Sequence, residues 1–187
     1  MSHLEQLWAG WRQEYIATAT AADRHPERDA NDGCVFCRIA GSVGASTDNG
    51  VVWRGETCLA VLNAYPYASG HLLVLPARHV GDLGGLTAPE STELWRATTE
   101  AVAAVERAYQ PDGSNVGINL GRAAGAGFPG HLHVHVVPRW SGDTNFMTAV
   151  SGVRVIPEPL PVAWEKLFAS WPLTGGAHRA DDPPPGR

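Results

Sequence analysis

The stretch GHLHVHVVPRW, residues 130–140, decides how this chain is read. It places three of the eight histidines at alternate positions of an otherwise apolar run. Side chains alternate between faces along a β-strand. A strand over residues 131–139 therefore turns His131, His133 and His135 to one side, and Leu132, Val134 and Val136 to the core. Three readings follow. An exposed polar face made of histidine by chance is disfavoured, because a chance face would mix in Thr, Lys or Glu. A mononuclear metal site is possible, since His-x-His on a strand is a known ligand geometry. Catalysis at phosphorus is the third. Imidazole is partly uncharged near neutral pH, is nucleophilic, and donates hydrogen bonds to phosphate.

The residues just upstream favour the third reading. NLGRAAGAGFPGH, residues 119–131, is a loop of small residues that feeds the strand. Small side chains let backbone N–H groups approach an anion and form a phosphate nest. Taken alone, such a loop is more often merely flexible. Directly before three histidines, it points to phosphate.

Working outward, VVWRGE and CLAVLNAYP read as two strands around a Gly55-Glu56 turn. HLLVLP (residues 71–76) is a third strand, and SNVGINLG (residues 114–121) a fourth. Residues 88–109 read as the main helix. Thr87 and Glu90 give a capping box, and Pro89 lies in the first turn. Leu94, Ala97, Ala101, Val105 and Ala108 supply its buried stripe. The order βββ-α-ββ predicts an α+β fold with a five-stranded antiparallel sheet. An amphipathic helix is expected over residues 3–17, where Leu4, Leu7, Trp8, Trp11 and Tyr15 recur at helical spacing behind Ser2 and Glu5. The polar residues 19–33 read as a loop. The expected division is an N-terminal helix and loop over 1–33, a main domain over 34–150, a C-terminal extension over 151–174 and a disordered tail over 175–187.

Composition narrows the function. The chain has 187 residues, 44% of them hydrophobic, and a formal net charge of -5. An acidic chain is a poor coat for DNA or RNA, which calls for a basic face. A few well-placed groups can still hold a small anion. No apolar run nears the length of a membrane span, and the first residues lack the pattern of a signal peptide. A soluble cytoplasmic protein is expected, with no membrane and no nucleic-acid partner. Three cysteines, two of them in Cys34-x-x-Cys37, fit metal or redox use better than a disulfide framework. Cys58, inside a predicted strand, reads as a buried apolar residue.

His131-Leu132-His133-Val134-His135-Val136-Val137 resembles the signature of the histidine triad (HIT) nucleotide hydrolases and transferases. VLNAYPYASGHLLVLPARHV is similar to that family's pocket strands, and NVGINLGRAAGAG to its phosphate loop. The resemblance covers about residues 34–150. LWAGWRQEYI and HVVPRWSGDTNFM resemble the actinobacterial branch of diadenosine tetraphosphate phosphorylase-like proteins. It implies a HIT fold with N- and C-terminal helical extensions. It also implies an enzyme that cleaves diadenosine polyphosphates through an adenylyl-histidine. His133 matches the nucleophile, and His135 and His71 the histidines that bind phosphate. Asn63 matches the ribose position. Asn119, Gly125, Ala126 and Gly127 match the phosphate site. Leu62, Tyr65 and Pro66 are candidates for the base pocket. Turn structure explains Asn63 and Asn119 as readily, and core packing explains the base-pocket candidates almost as well.

The family often carries Gln or Ser where this chain has Gly127. That departure leaves water and inorganic phosphate both open as acceptor. The resemblance further implies a structural zinc held by Cys34, Cys37, His79 and His131, and a homodimer formed through the main helix and a sheet edge. A nucleoside phosphoramidase and a low-activity nucleotide-binding regulatory module are the alternative functions.

Overall fold

The computed structural model of the chain describes residues 33–143 and 158–172. The predicted N-terminal helix, nearly all of the loop after it and the tail from Gly175 lie outside the described residues. The described elements are α1 (Val35–Ala40), β1 (Val51–Arg54), β2 (Cys58–Leu62) and β3 (Leu72–Pro76). There follow α2 (Ala88–Tyr109), β4 (Gly113–Ile118), β5 (Val134–Arg139) and α3 (Leu160–Ser170). The strands form one antiparallel sheet in the order β1-β2-β3-β5-β4. The α+β class and the five strands are as the sequence predicted.

Strand alternation sorts the sheet into two apolar layers. Val52, Ala60, Leu72, Val74, Leu132, Val134 and Val136 meet Leu94, Ala97, Ala101 and Val105 of α2 on one face. Val51, Leu59, Val61, Leu73 and Leu75 lie on the other face with Cys34 and Phe36. Each fully buried Leu or Val removes enough apolar surface from water to contribute roughly 1.5–3 kcal/mol. Helix α2 begins as its sequence requires. The Thr87 hydroxyl accepts from the Glu90 amide and the Glu90 carboxylate accepts from the Thr87 amide, with a proline in the first turn. Gln110, in a left-handed conformation at φ 47°, closes it.

Helix α3 completes the helix-bearing face. Leu167 is fully buried, the Trp171 ring stacks on Trp53 at 5.4 Å, and the Trp164 indole donates to the carbonyl of Val51 at 2.8 Å.

Several predicted boundaries are corrected. The first two strands stop at Arg54 and Leu62 rather than running into the turns, and β4 runs over residues 113–118. The fifth strand begins at Val134, not at residue 131. The Leu132 amide is bonded to the carbonyl of Val80 at 2.6 Å, which ties it to the segment after β3 rather than to the ladder. Helix α1 was not predicted. It is one short turn-and-a-half, with Cys34 as its N-cap.

Candidate active site and metal cluster

Leu132, Val134 and Val136 pack on the α2 side, while the rings of His131 and His133 meet Phe36. His131 and His133 are buried at 0% and 7% exposure. His133 Nδ1 lies 2.7 Å from the carbonyl oxygen of His131. A carbonyl only accepts, so Nδ1 carries the proton and Nε2 keeps its lone pair. Burial holds the His133 imidazole below its ordinary pKa, so the ring is neutral near pH 7. A neutral ring with a fixed tautomer and a free Nε2 is a competent nucleophile.

The neighbouring pair is ordered by a chain of donors. The Tyr67 amide donates to His71 Nδ1 at 3.0 Å, and the Asn63 amide nitrogen lies 3.2 Å from the same atom. His71 Nδ1 is therefore the acceptor and its Nε2 bears the proton. That Nε2 lies 3.0 Å from His135 Nδ1, which must accept. His135 consequently carries its proton on Nε2. Among the described residues that atom is buried and has no partner. The His135 ring lies 5.0 Å from the His133 ring, so the unpaired donor sits beside the candidate nucleophile. Burial, then the nearby His133, lowers the His135 pKa to about 4. A buried donor without a partner costs free energy unless a ligand takes it up.

The remaining predicted residues are placed less uniformly. His71 is fully buried, with its Nε2 on His135 Nδ1. The Asn63 carbonyl oxygen accepts from the Tyr65 amide at 3.0 Å, so this side chain shapes the turn and braces His71. Leu62 packs with Cys58 and Ala60 against the α2 layer, so alternation turns it away from the histidines. Tyr65 is 86% exposed. In the loop, the amides of Ala124, Gly125 and Ala126 bond to the loop's own carbonyls at Gly121 and Arg122, and Asn119 donates to the Gly125 carbonyl at 3.4 Å. The expected nest is thus partly closed on itself.

Cys34, Cys37, His79 and His131 come together with their ligand atoms all within 4.8 Å of one another. Cys34 Sγ lies 3.4 Å from His131 Nδ1, and Cys37 Sγ lies 3.2 Å from His79 Nδ1. Donors around a tetrahedral ion with bonds of ~2.0–2.3 Å stand at about such separations. His131 Nε2 donates to the carbonyl of Pro76 at 2.9 Å, which leaves Nδ1 unprotonated and aimed at the cysteines. Burial, then the adjacent Cys34, pushes the Cys37 thiol up to about 11, so a cation is required to hold it as thiolate. The four residues can hold a metal ion, and their donor set suits a soft-to-borderline one. Cys58 stands apart in the core at 1% exposure, as expected.

Two residues that sequence reasoning passed over belong to this region. Phe36, between the paired cysteines, packs its ring 5.1 Å from His133, 5.4 Å from His131 and 5.8 Å from Phe128. Tyr67 stacks on His135 at 5.9 Å and supplies the amide that sets the His71 tautomer. The only sequence signal for either was an aromatic residue inside a polar motif.

Comparison with family models matches the HIT domain over residues 45–142. The chain belongs to the HIT family. A relative named AP-4-A phosphorylase, from Mycobacterium tuberculosis, is 43% identical to this HIT chain over 90% of it and 85% of the relative. A Schizosaccharomyces pombe protein named asymmetrical bis(5'-nucleosyl)-tetraphosphatase is 37% identical over 50% of each chain. Among solved structures, a Zn-bound histidine triad family protein from Mycobacterium smegmatis aligns with a TM-score of 0.60. It shares 28% identity and covers 75% of this HIT chain and 94% of its own. Among the described residues no helix is long and apolar enough to cross a membrane.

Proposed function

We propose that this protein is a nucleotide-processing enzyme that cleaves diadenosine tetraphosphate through an adenylyl-His133 intermediate. The observation that carries this reading is the pairing of a neutral His133 with a free Nε2 and a buried His135 Nε2–H with no partner. One is a nucleophile and the other a donor for the charge it creates. The similarity to a relative named AP-4-A phosphorylase supports the substrate.

In the first step His133 Nε2 attacks the α-phosphorus. The N–P bond forms as the P–O bond to the leaving ATP breaks. The His133 Nδ1–H stays on the His131 carbonyl, which disperses the positive charge the ring acquires. The His135 Nε2–H donates to a nonbridging oxygen, where negative charge concentrates. In the second step water or inorganic phosphate attacks the adenylyl group and releases the ring. Asn119, Gly125, Ala126 and Gly127 flank the phosphates, and Tyr65 and Pro66 border the nucleoside.

Zinc is the ion proposed for Cys34, Cys37, His79 and His131, in a closed four-ligand set that is structural. A bound ion there would supply cross-linking of α1 to the β3 end and the triad segment. Homodimer formation is proposed on the support of β4, which is an edge strand with Val116 exposed. The test of the reaction is an alkaline denaturing quench, since acid cleaves a phosphorus–nitrogen bond, during turnover of diadenosine tetraphosphate radiolabelled in its adenosine. Label retained on a peptide containing His133 is expected. Turnover with no covalent label at any rapid-quench time would remove the two-step scheme.

A further inference from the structure

We infer that Tyr109, anchored by Glu158 and Lys166 of the C-terminal segment, is a positioning residue for the His71–His135 pair. The inference rests on the function proposed above for what the pair does, and on geometry alone for how it is held.

Tyr109 is the last residue of α2, and its ring lies directly on the backbone of Gly70. A Cβ placed on Gly70 would stand 2.5 Å from Tyr109 Cε2, closer than side chains approach, and Gly70 has φ +79°. Glycine is thus required twice over, once for conformation and once for the close approach. Gly70 precedes His71, and the turn around it is bound to that histidine throughout. The Asn63 amide donates to the His71 carbonyl at 2.9 Å, the His71 amide to the Ala68 carbonyl at 3.2 Å, and the Tyr67 amide to the His71 ring. Tyr109 closes the side of this turn that those bonds leave to packing.

The tyrosine is itself held from outside the segment that matches the HIT domain. Its hydroxyl donates to Glu158 at 2.7 Å. Lys166 on α3 pairs with the same carboxylate and lies 5.4 Å from the Tyr109 ring centroid. Both residues lie beyond residue 142, where the family match ends. One continuous set of contacts therefore runs from α3 through Glu158, Tyr109 and Gly70 to His71 and His135. A shift of Gly70 by about an ångström would stretch the 3.0 Å bond between His71 and His135 past hydrogen-bonding range. His135 would then lose the donor that fixes its tautomer, and with it the obligatory proton on Nε2. Tyr109 needs no contact with substrate to have this effect.

The experiment uses the full chain, labelled with 15N and loaded with zinc, and reads the histidine ring nitrogens together with kinetics on diadenosine tetraphosphate. In the wild type, the His71 ring shows an unprotonated Nδ1 and a protonated Nε2. Tyr109→Leu keeps bulk and removes the ring. Its His71 and His135 ring signals are expected to move toward tautomer-averaged values, while kcat falls about tenfold or more and KM stays within about twofold. Tyr109→Phe removes the donor and Glu158→Ala the acceptor of the same bond. Each should give a smaller loss in kcat, and the double variant should be no worse than the singles. Unchanged ring signals in Tyr109→Leu would overturn the inference. So would a loss confined to KM, which would place Tyr109 against the nucleotide. Should Tyr109→Leu fail to fold, the Tyr109→Phe and Glu158→Ala cycle decides, since the ring is retained: additive losses with unmoved ring signals overturn the proposal. If the wild type turns over no dinucleotide yet the ring signals shift, the positioning role stands and the substrate reading fails.

Discussion

The Nδ1–H of His133 donates to the carbonyl oxygen of His131 at 2.7 Å. The residue that faces the cysteines with its ring thus fixes the tautomer of its neighbour with its backbone. Both jobs follow from the His-x-His spacing, which turns two imidazoles to one side while their shared peptide lies between them. The arrangement separates two roles that look alike in sequence. His131 has one ring nitrogen committed to Pro76 and the other aimed at the thiols, so nothing is left for substrate. His133 has Nε2 left over.

The first prediction follows. His133→Ala removes the covalent step and little of the phosphate-binding surface. Turnover of diadenosine tetraphosphate should fall by at least about a thousandfold, with AMP affinity within a few-fold of wild type. Steady-state kinetics and calorimetric AMP titration check it. Retention of more than a few per cent of activity would sink the assignment.

The metal cluster gives the second. Purified protein should contain about one zinc per chain, because two thiols and two imidazoles complete a tetrahedral set. Cys34→Ser removes a buried ligand from between α1 and His131. If it costs a few kcal/mol, the melting temperature of a chain this size drops by roughly 5–10 °C. The rate measured well below that temperature should change much less. Metal-free protein that melts with the wild type would refute the structural role. A chelator that stops turnover reversibly without unfolding would move the metal into the chemistry.

Much of this was legible in the sequence, and the reasons are local. Alternation over residues 131–136 assigned both faces correctly, and the Thr87–Glu90 pair located the start of α2. The four metal-cluster residues were implied by the family resemblance and do converge. What was not legible depends on long-range packing. Leu62 reads in sequence as base pocket or as core, and its parity within β2 sets it with the core layer under α2. The loop at 119–131 reads as a nest, because composition cannot say whether amides such as those of Ala124, Gly125 and Ala126 face a ligand or the loop's own carbonyls. The strand start at Val134 was hidden for the same reason, since Val80 claims the Leu132 amide from outside the ladder.

The third prediction concerns acid. His135 titrates near 4 in the folded chain because burial, and then His133, disfavours its charged form. Its reference value is ~6.5, so the unfolded chain binds the proton first as pH falls. The unfolded state therefore binds more protons between about 6.5 and 4, and stability rises with pH across that window. The contribution is fully present above the unfolded value and is lost as pH falls through the folded one. Among the described residues His71, His133 and Tyr67 face His135, and His133 shifts in the same direction. Denaturant midpoints should decline on acidification from pH 7 to pH 4.5. His135→Phe, which keeps a buried ring but cannot titrate, should show a shallower decline. An equal slope in wild type and variant would show that the histidine does not contribute.

The last prediction concerns what discharges the adenylyl group. In the proposed scheme ATP leaves from beside the phosphorus, and the acceptor enters there. At Gly127 no side chain is available to orient a single water, which a hydrolase would be helped by. The loop amides offer less than the sequence suggested, because those of Ala124, Gly125 and Ala126 are spent internally. The case for phosphate therefore rests on the absence of a side chain at Gly127. Diadenosine tetraphosphate with millimolar phosphate should yield ATP and ADP, and phosphate should accelerate consumption. Gly127→Gln adds a polar side chain that can hold water, and should shift product from ADP toward AMP. Chromatography of the nucleotide products at several phosphate concentrations separates the outcomes. If AMP and ATP are the sole products even in saturating phosphate, water is the acceptor and the missing side chain at Gly127 does not select against it.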